Sequence, residues 1–88
     1  MSAARPLVTL YGRPGCHLCD DARAALERLR VAGPPFALEE VDIERDDALL
    51  RRYLERIPVV VLDGRELYDF HVDETDLRAR LDARVDRR

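Results

Sequence analysis

Cys16-His17-Leu18-Cys19 places the two cysteines of the chain three residues apart. Two thiols are too few to staple a small secreted domain, and too few for a four-thiolate zinc or iron–sulfur site within one chain. The spacing leaves open a reversible dithiol–disulfide pair, a mixed or shared metal site, or coincidence. The first needs one sulfur held where it ionises readily, because the thiolate is the nucleophile. It also needs a second sulfur near enough to displace a partner from a mixed disulfide and close the 16–19 ring. His17 beside the first sulfur favours the thiolate when protonated, whereas Asp20 and Asp21 oppose it if their carboxylates approach. A metal site would draw on His17 or His71 as a third ligand.

The elements around this pair are those that could position it. Leu7-Val8-Thr9-Leu10-Tyr11 is a short apolar run of β-formers, expected as a strand buried on both faces. Gly12-Arg13-Pro14-Gly15 breaks it. Leu18, Ala22, Ala25, Leu26 and Leu29 then fall on one stripe of a helix, which Gly33-Pro34 ends. Cys16 is therefore predicted at a helix N-terminus and Cys19 one turn along. There, unpaired N–H groups and about half a positive charge favour an ionised sulfur.

Downstream, Phe36 to Ile43 reads as a second strand with imperfect alternation, which a bulge or burial on both faces would explain. Asp46-Asp47 opens a helix carrying Leu49, Leu50, Tyr53 and Leu54, and Ile57-Pro58 cannot prolong it. Val59 to Leu62 and Arg65 to Phe70 form a hairpin about Asp63-Gly64. Asp73 caps a last helix with the stripe Leu77, Leu81 and Val85, Val72 and Leu77 forming a hydrophobic staple. The predicted architecture is an α/β domain over residues 1–88, βαβαββα, with a four-stranded mixed sheet: a parallel βαβ start and an antiparallel hairpin.

Composition narrows the partners. With 88 residues there is room for one domain, and 47% hydrophobic against 38% charged residues suits neither a disordered chain nor a membrane span. No secretory-type start is present, so a cytoplasmic location is expected. Fifteen basic and eighteen acidic residues leave a formal net charge of −3. The one arginine-rich stretch, Arg78, Arg80, Arg84, Arg87 and Arg88, is interrupted by Asp76, Asp82 and Asp86, and it reads as a solvated helix face. Neither a nucleic-acid surface nor a membrane surface is expected.

The run Leu10-Tyr11-Gly12-Arg13-Pro14-Gly15-Cys16-His17-Leu18-Cys19-Asp20, with Arg56-Ile57-Pro58-Val59-Val60-Val61 before a hairpin, resembles the glutaredoxin-like branch of the thioredoxin superfamily. The resemblance spans essentially the whole chain. It implies a thiol–disulfide oxidoreductase acting on protein or small-molecule disulfides, with Cys16 attacking and Cys19 resolving. It also implies a cis Pro58 that presents backbone to the substrate, and a rim of Tyr11, Arg13, His17 and Ile57 that binds substrate or tunes the sulfurs. No bound cofactor and no metal are implied; glutathione or a flavoprotein reductase would supply electrons to a monomer. The other readings are a redox-sensing module and a metal or iron–sulfur module on the same fold. The chain departs from the family's pattern at His17-Leu18 between the cysteines, at Arg13 for a lysine, and at Arg56-Ile57 for Thr-Val. It also has Asp69-Phe70-His71-Val72-Asp73 where glutaredoxins carry two glycines that help hold glutathione.

Overall fold

Strand β1 (Leu7–Gly12) is flanked on both sides in the sheet, which explains why its sequence is apolar almost throughout. The computed structural model describes residues 5–86; residues 1–4, Arg87 and Arg88, and the side chains of Val85 and Asp86 lie outside the described residues. The remaining elements are α1 (His17–Ala32), β2 (Ala37–Asp42), a 3-10 turn (Ile43–Arg45), α2 (Asp47–Tyr53), β3 (Val59–Leu62), β4 (Arg65–Asp69) and α3 (Glu74–Asp86). The four strands lie in the order β2-β1-β3-β4. β1 pairs parallel with β2, joined through α1, and antiparallel with β3, which pairs antiparallel with β4. The predicted mixed sheet and order of elements are as observed; the 3-10 turn is an addition.

The sheet separates two apolar layers. On one face Val8, Leu10 and Val60 pack with Ala22, Leu26 and Leu29 of α1 and with Leu77 and Leu81 of α3. On the other, Ile43, Val59 and Val61 pack with Tyr53 of α2, joined by Tyr11, Leu49, Leu50 and Ile57. The imperfect alternation of β2 follows from this arrangement. Phe36 and Leu38 serve the first layer and Ile43 the second, while β2 pairs with β1 in unbroken register. β2 itself is an edge strand with Glu39 and Glu40 exposed; the buried residues that break the alternation, Phe36 and Ile43, flank it and serve opposite layers, and the irregularity of the sheet lies between Val60 and Val61 opposite β4.

Local signals account for the ends of the elements. Asp63 and Gly64 both adopt positive φ, 50° and 86°, as a two-residue hairpin twisted to match its strands requires. Asp46 caps the short α2 by accepting from the N–H groups of Ala48 and Leu49 (2.8 and 3.3 Å). Asp73 accepts from the N–H of Asp76 (3.0 Å), and Val72 packs against the layer that holds Leu77. Among the described residues no helix is long and apolar enough to cross a membrane.

Candidate active site

The break after β1 turns the chain so that Cys16 becomes the N-cap of α1, in extended backbone conformation. Its sulfur accepts the N–H of Cys19 (3.1 Å), so this cap is a sulfur where other helices use an oxygen. Cys16 and Cys19 form a disulfide, with Cα atoms 5.2 Å apart, inside the range such a bond spans. The two residues differ in exposure: Cys16 is half-buried, whereas Cys19 is only 1% exposed. Cys16 is thus open to solvent, while Cys19 is sheltered.

Gly12 explains how Cys19 fits. A Cβ on Gly12 would lie 2.9 Å from Cys19 Sγ and 3.2 Å from Cys19 Cβ, so any larger residue at the end of β1 would force the sulfur or the strand to shift. Sequence reasoning treats Gly12 only as a strand breaker; a glycine ending a strand four residues before a dithiol is the signal that could have found this role. A groove of about 760 Å³ runs along this side, lined by Gly12, Arg13, Cys19, Arg23, Glu40 and Asp42 among others. Arg23 Nε donates to both oxygens of Glu40 (2.9 and 2.8 Å), and its Nη1 donates to Asp20 (2.8 Å). Asp20 is thereby drawn to Arg23 as its charge partner.

Pro58 follows a cis peptide bond, Ile57–Pro58. In the β1–β3 register Tyr11 faces Val59, so Pro58 falls level with Gly12, at the end of the sheet where β1 leads into the cysteine loop. The predicted cis proline and the dithiol therefore share one end of the sheet. Of the other expected rim residues, Tyr11 and Ile57 come together in the α2-side layer. The Tyr11 ring stacks on Tyr53 with centroids 4.6 Å apart. Arg13 pairs with Glu44 (2.6 Å), and His17 is exposed as the first residue of α1. Among the described residues no group of three or more His, Cys, Asp and Glu is placed to hold a metal ion.

The residue two before the cis proline anchors a charge network that the sequence did not announce. Arg56 donates to Asp69 through Nε and Nη2 (2.9 and 3.0 Å) and to Glu66 through Nη2 (2.7 Å). Arg52 and the Tyr53 hydroxyl also donate to Glu66 (2.8 Å each), and both guanidinium groups lie over the Tyr53 ring, 5.4 and 5.3 Å from its centroid. Arg56, then Arg52 and the Tyr53 hydroxyl, hold the Glu66 carboxyl down at about 2. Burial first, and then the bond to Glu66, push the Tyr53 phenol up. The network ties α2 and the segment leading to Pro58 onto β4.

A four-stranded sheet with this strand order, flanked by three helices and carrying a Cys-x-x-Cys disulfide at the first helix, defines the thioredoxin-like class. The fold is shared with a mutant thioredoxin from Halobacterium salinarum, at a TM-score of 0.70 and 20% identity, covering 99% of this chain and 80% of that one. More similar in sequence is a protein of X. campestris solved by X-ray, 48% identical with a TM-score of 0.69, covering 86% of this chain and 96% of that one. Protein Ne2328 from Nitrosomonas europaea has a TM-score of 0.77 at 31% identity, covering 92% and 96%. An uncharacterized protein of Mycobacterium tuberculosis is 37% identical over 83 residues, 86% of this chain and 82% of the relative. The Glutaredoxin-like domain (DUF836) family matches residues 7–82, and the chain belongs to that family. Fold and paired cysteines together support a redox-type function.

Proposed function

We propose that the chain is a dithiol–disulfide oxidoreductase that reduces protein or small-molecule disulfides. The observation that carries this reading is the seating of the Cys16 sulfur at the N-cap of α1, bonded to the sheltered Cys19 and facing the Cys19 N–H. When the 16–19 bond is opened, that N–H and the helix dipole stabilise negative charge on Cys16. The Cys16 thiolate attacks one sulfur of a substrate disulfide; a mixed disulfide forms and one substrate thiolate leaves. The Cys19 thiol gives up its proton to solvent and attacks the Cys16 sulfur. The 16–19 bond reforms, the second substrate thiolate departs, and two electrons have passed to the substrate.

External thiol, from glutathione or from a reductase, returns those electrons and resets the dithiol. Pro58 presents backbone to the substrate, and Tyr11, Arg13, His17 and Ile57 shape the rim around it. Insulin-disulfide reduction with dithiothreitol as donor tests the reading. Cys16→Ser is expected to abolish turnover. Cys19→Ser is expected to accumulate mixed disulfides with the substrate, visible by mass, because attack survives and resolution does not. Sustained turnover by Cys16→Ser would overturn the proposal.

A further inference from the structure

Phe70 sits in a backbone conformation that bulky residues rarely adopt. Its φ is +71°, and the His71 N–H donates to the Asp69 carbonyl (2.7 Å), closing a γ-turn of the rare positive-φ kind around it. The neighbours hold the turn in place from both sides. The Phe70 N–H donates to the Pro58 carbonyl (2.8 Å), and the preceding Asp69 is gripped by Arg56. A glycine would make the same turn without steric cost.

The ring is only partly covered by the fold. Phe70 is 44% exposed and belongs to neither apolar layer. Its position, however, is at the dithiol end of the sheet. Gly12, Pro58 and Phe70 follow one another across β1, β3 and β4, so the Phe70 backbone lies two strand spacings, roughly 10 Å, from the β1 end that seats Cys19. Leu18, between the two cysteines, is likewise exposed, at 38%. Two arginines at this end are already matched: Arg56 is held by Glu66 and Asp69, and Arg13 by Glu44. A rim with paired arginines and exposed apolar side chains suits an uncharged, apolar feature of a substrate better than a carboxylate.

We propose that Phe70 is a specificity-determining residue of the redox site, selecting disulfides whose half-cystine is flanked by an apolar side chain in an extended polypeptide. The inference rests on the oxidoreductase reading above. Strained backbone at an exposed aromatic persists where the side chain serves binding, and removing the strain then separates stability from recognition.

The test compares wild type, Phe70→Gly and Phe70→Leu on two otherwise identical disulfide peptides, one with leucine and one with serine beside the half-cystine. Wild type is expected to favour the leucine peptide in kcat/KM by at least tenfold. Phe70→Gly is expected to bring the ratio near unity without lowering the melting temperature, and Phe70→Leu to keep most of the preference. A wild-type ratio near unity, or a ratio that Phe70→Gly leaves intact, overturns the inference while leaving the redox reading standing. A clear fall in melting temperature for Phe70→Gly also overturns it, since the ring would then be a packing residue. Wild type unable to reduce either peptide removes the oxidoreductase reading and this inference with it.

Discussion

Replacing Gly12 by alanine probes how the dithiol is seated. The added Cβ would stand 2.9 Å from Cys19 Sγ and 3.2 Å from Cys19 Cβ. Comfortable non-bonded contacts begin near about 3.5 Å, so one partner must give by roughly half an ångström. Cys19 has little room to do so, being 1% exposed and fixed in the first turns of α1. Overpacking of this kind costs about 1–3 kcal/mol. The reduced freedom of alanine in the unfolded chain offsets about 0.4–1 kcal/mol of that. The net expectation is a loss of about 1–2 kcal/mol, or roughly 5–12 °C in Tm for a domain this small. Urea unfolding of wild type, Gly12→Ala, Cys19→Ala and the double variant, all with reductant present, isolates the contact. With Cys19 cut back to alanine only the 3.2 Å approach remains, so Gly12→Ala should cost less by about 0.5–1.5 kcal/mol. Strict additivity, within about 0.3 kcal/mol, would refute the claim that Gly12 is a glycine for the sake of the Cys19 sulfur.

Glu66 gives a pH signature. Its carboxyl is lowered from 4.5 to about 2 by Arg56 first, then Arg52 and Tyr53, so its stabilising contribution is complete above pH 4.5 and is lost as pH falls through about 2. Glu66→Gln should therefore lose less stability than wild type between pH 4.5 and 2, and parallel acid limbs in urea titrations would contradict this assignment. Asp46→Ala removes the oxygen that accepts from both Ala48 and Leu49. The expected cost is about 1 kcal/mol; an unchanged denaturation midpoint would show that the cap is dispensable.

Much of the site was legible in the sequence because it is built from near neighbours. The strand–break–helix pattern from Leu7 to Leu29 is enough to put Cys16 at a helix start and Cys19 one turn further in, since helix geometry ties residues three and four apart. Asp63-Gly64 announced its own turn through the positive φ that both residues tolerate, and the change of buried layer between Phe36 and Ile43 showed in the broken alternation of that segment. The cis state of Ile57–Pro58 was accessible through the family resemblance alone, because most X-Pro bonds are trans and local pattern does not tell the two apart.

What only the tertiary structure decided are the meetings of residues distant along the chain. Any of the fifteen arginines could have paired with any of the eighteen acids; the β3–β4 hairpin and α2 together bring Arg56 to Glu66 and Asp69. Gly12 and Cys19 both had local explanations, and their close approach appears only when α1 folds back along β1. Phe70 carried no turn signal of its own: its positive φ is imposed by a backbone bond to Pro58 and by the hold of Arg56 on Asp69. Short-range sterics and periodicity write the elements into the sequence. The choice among many possible partners is made by the one packing that satisfies them together.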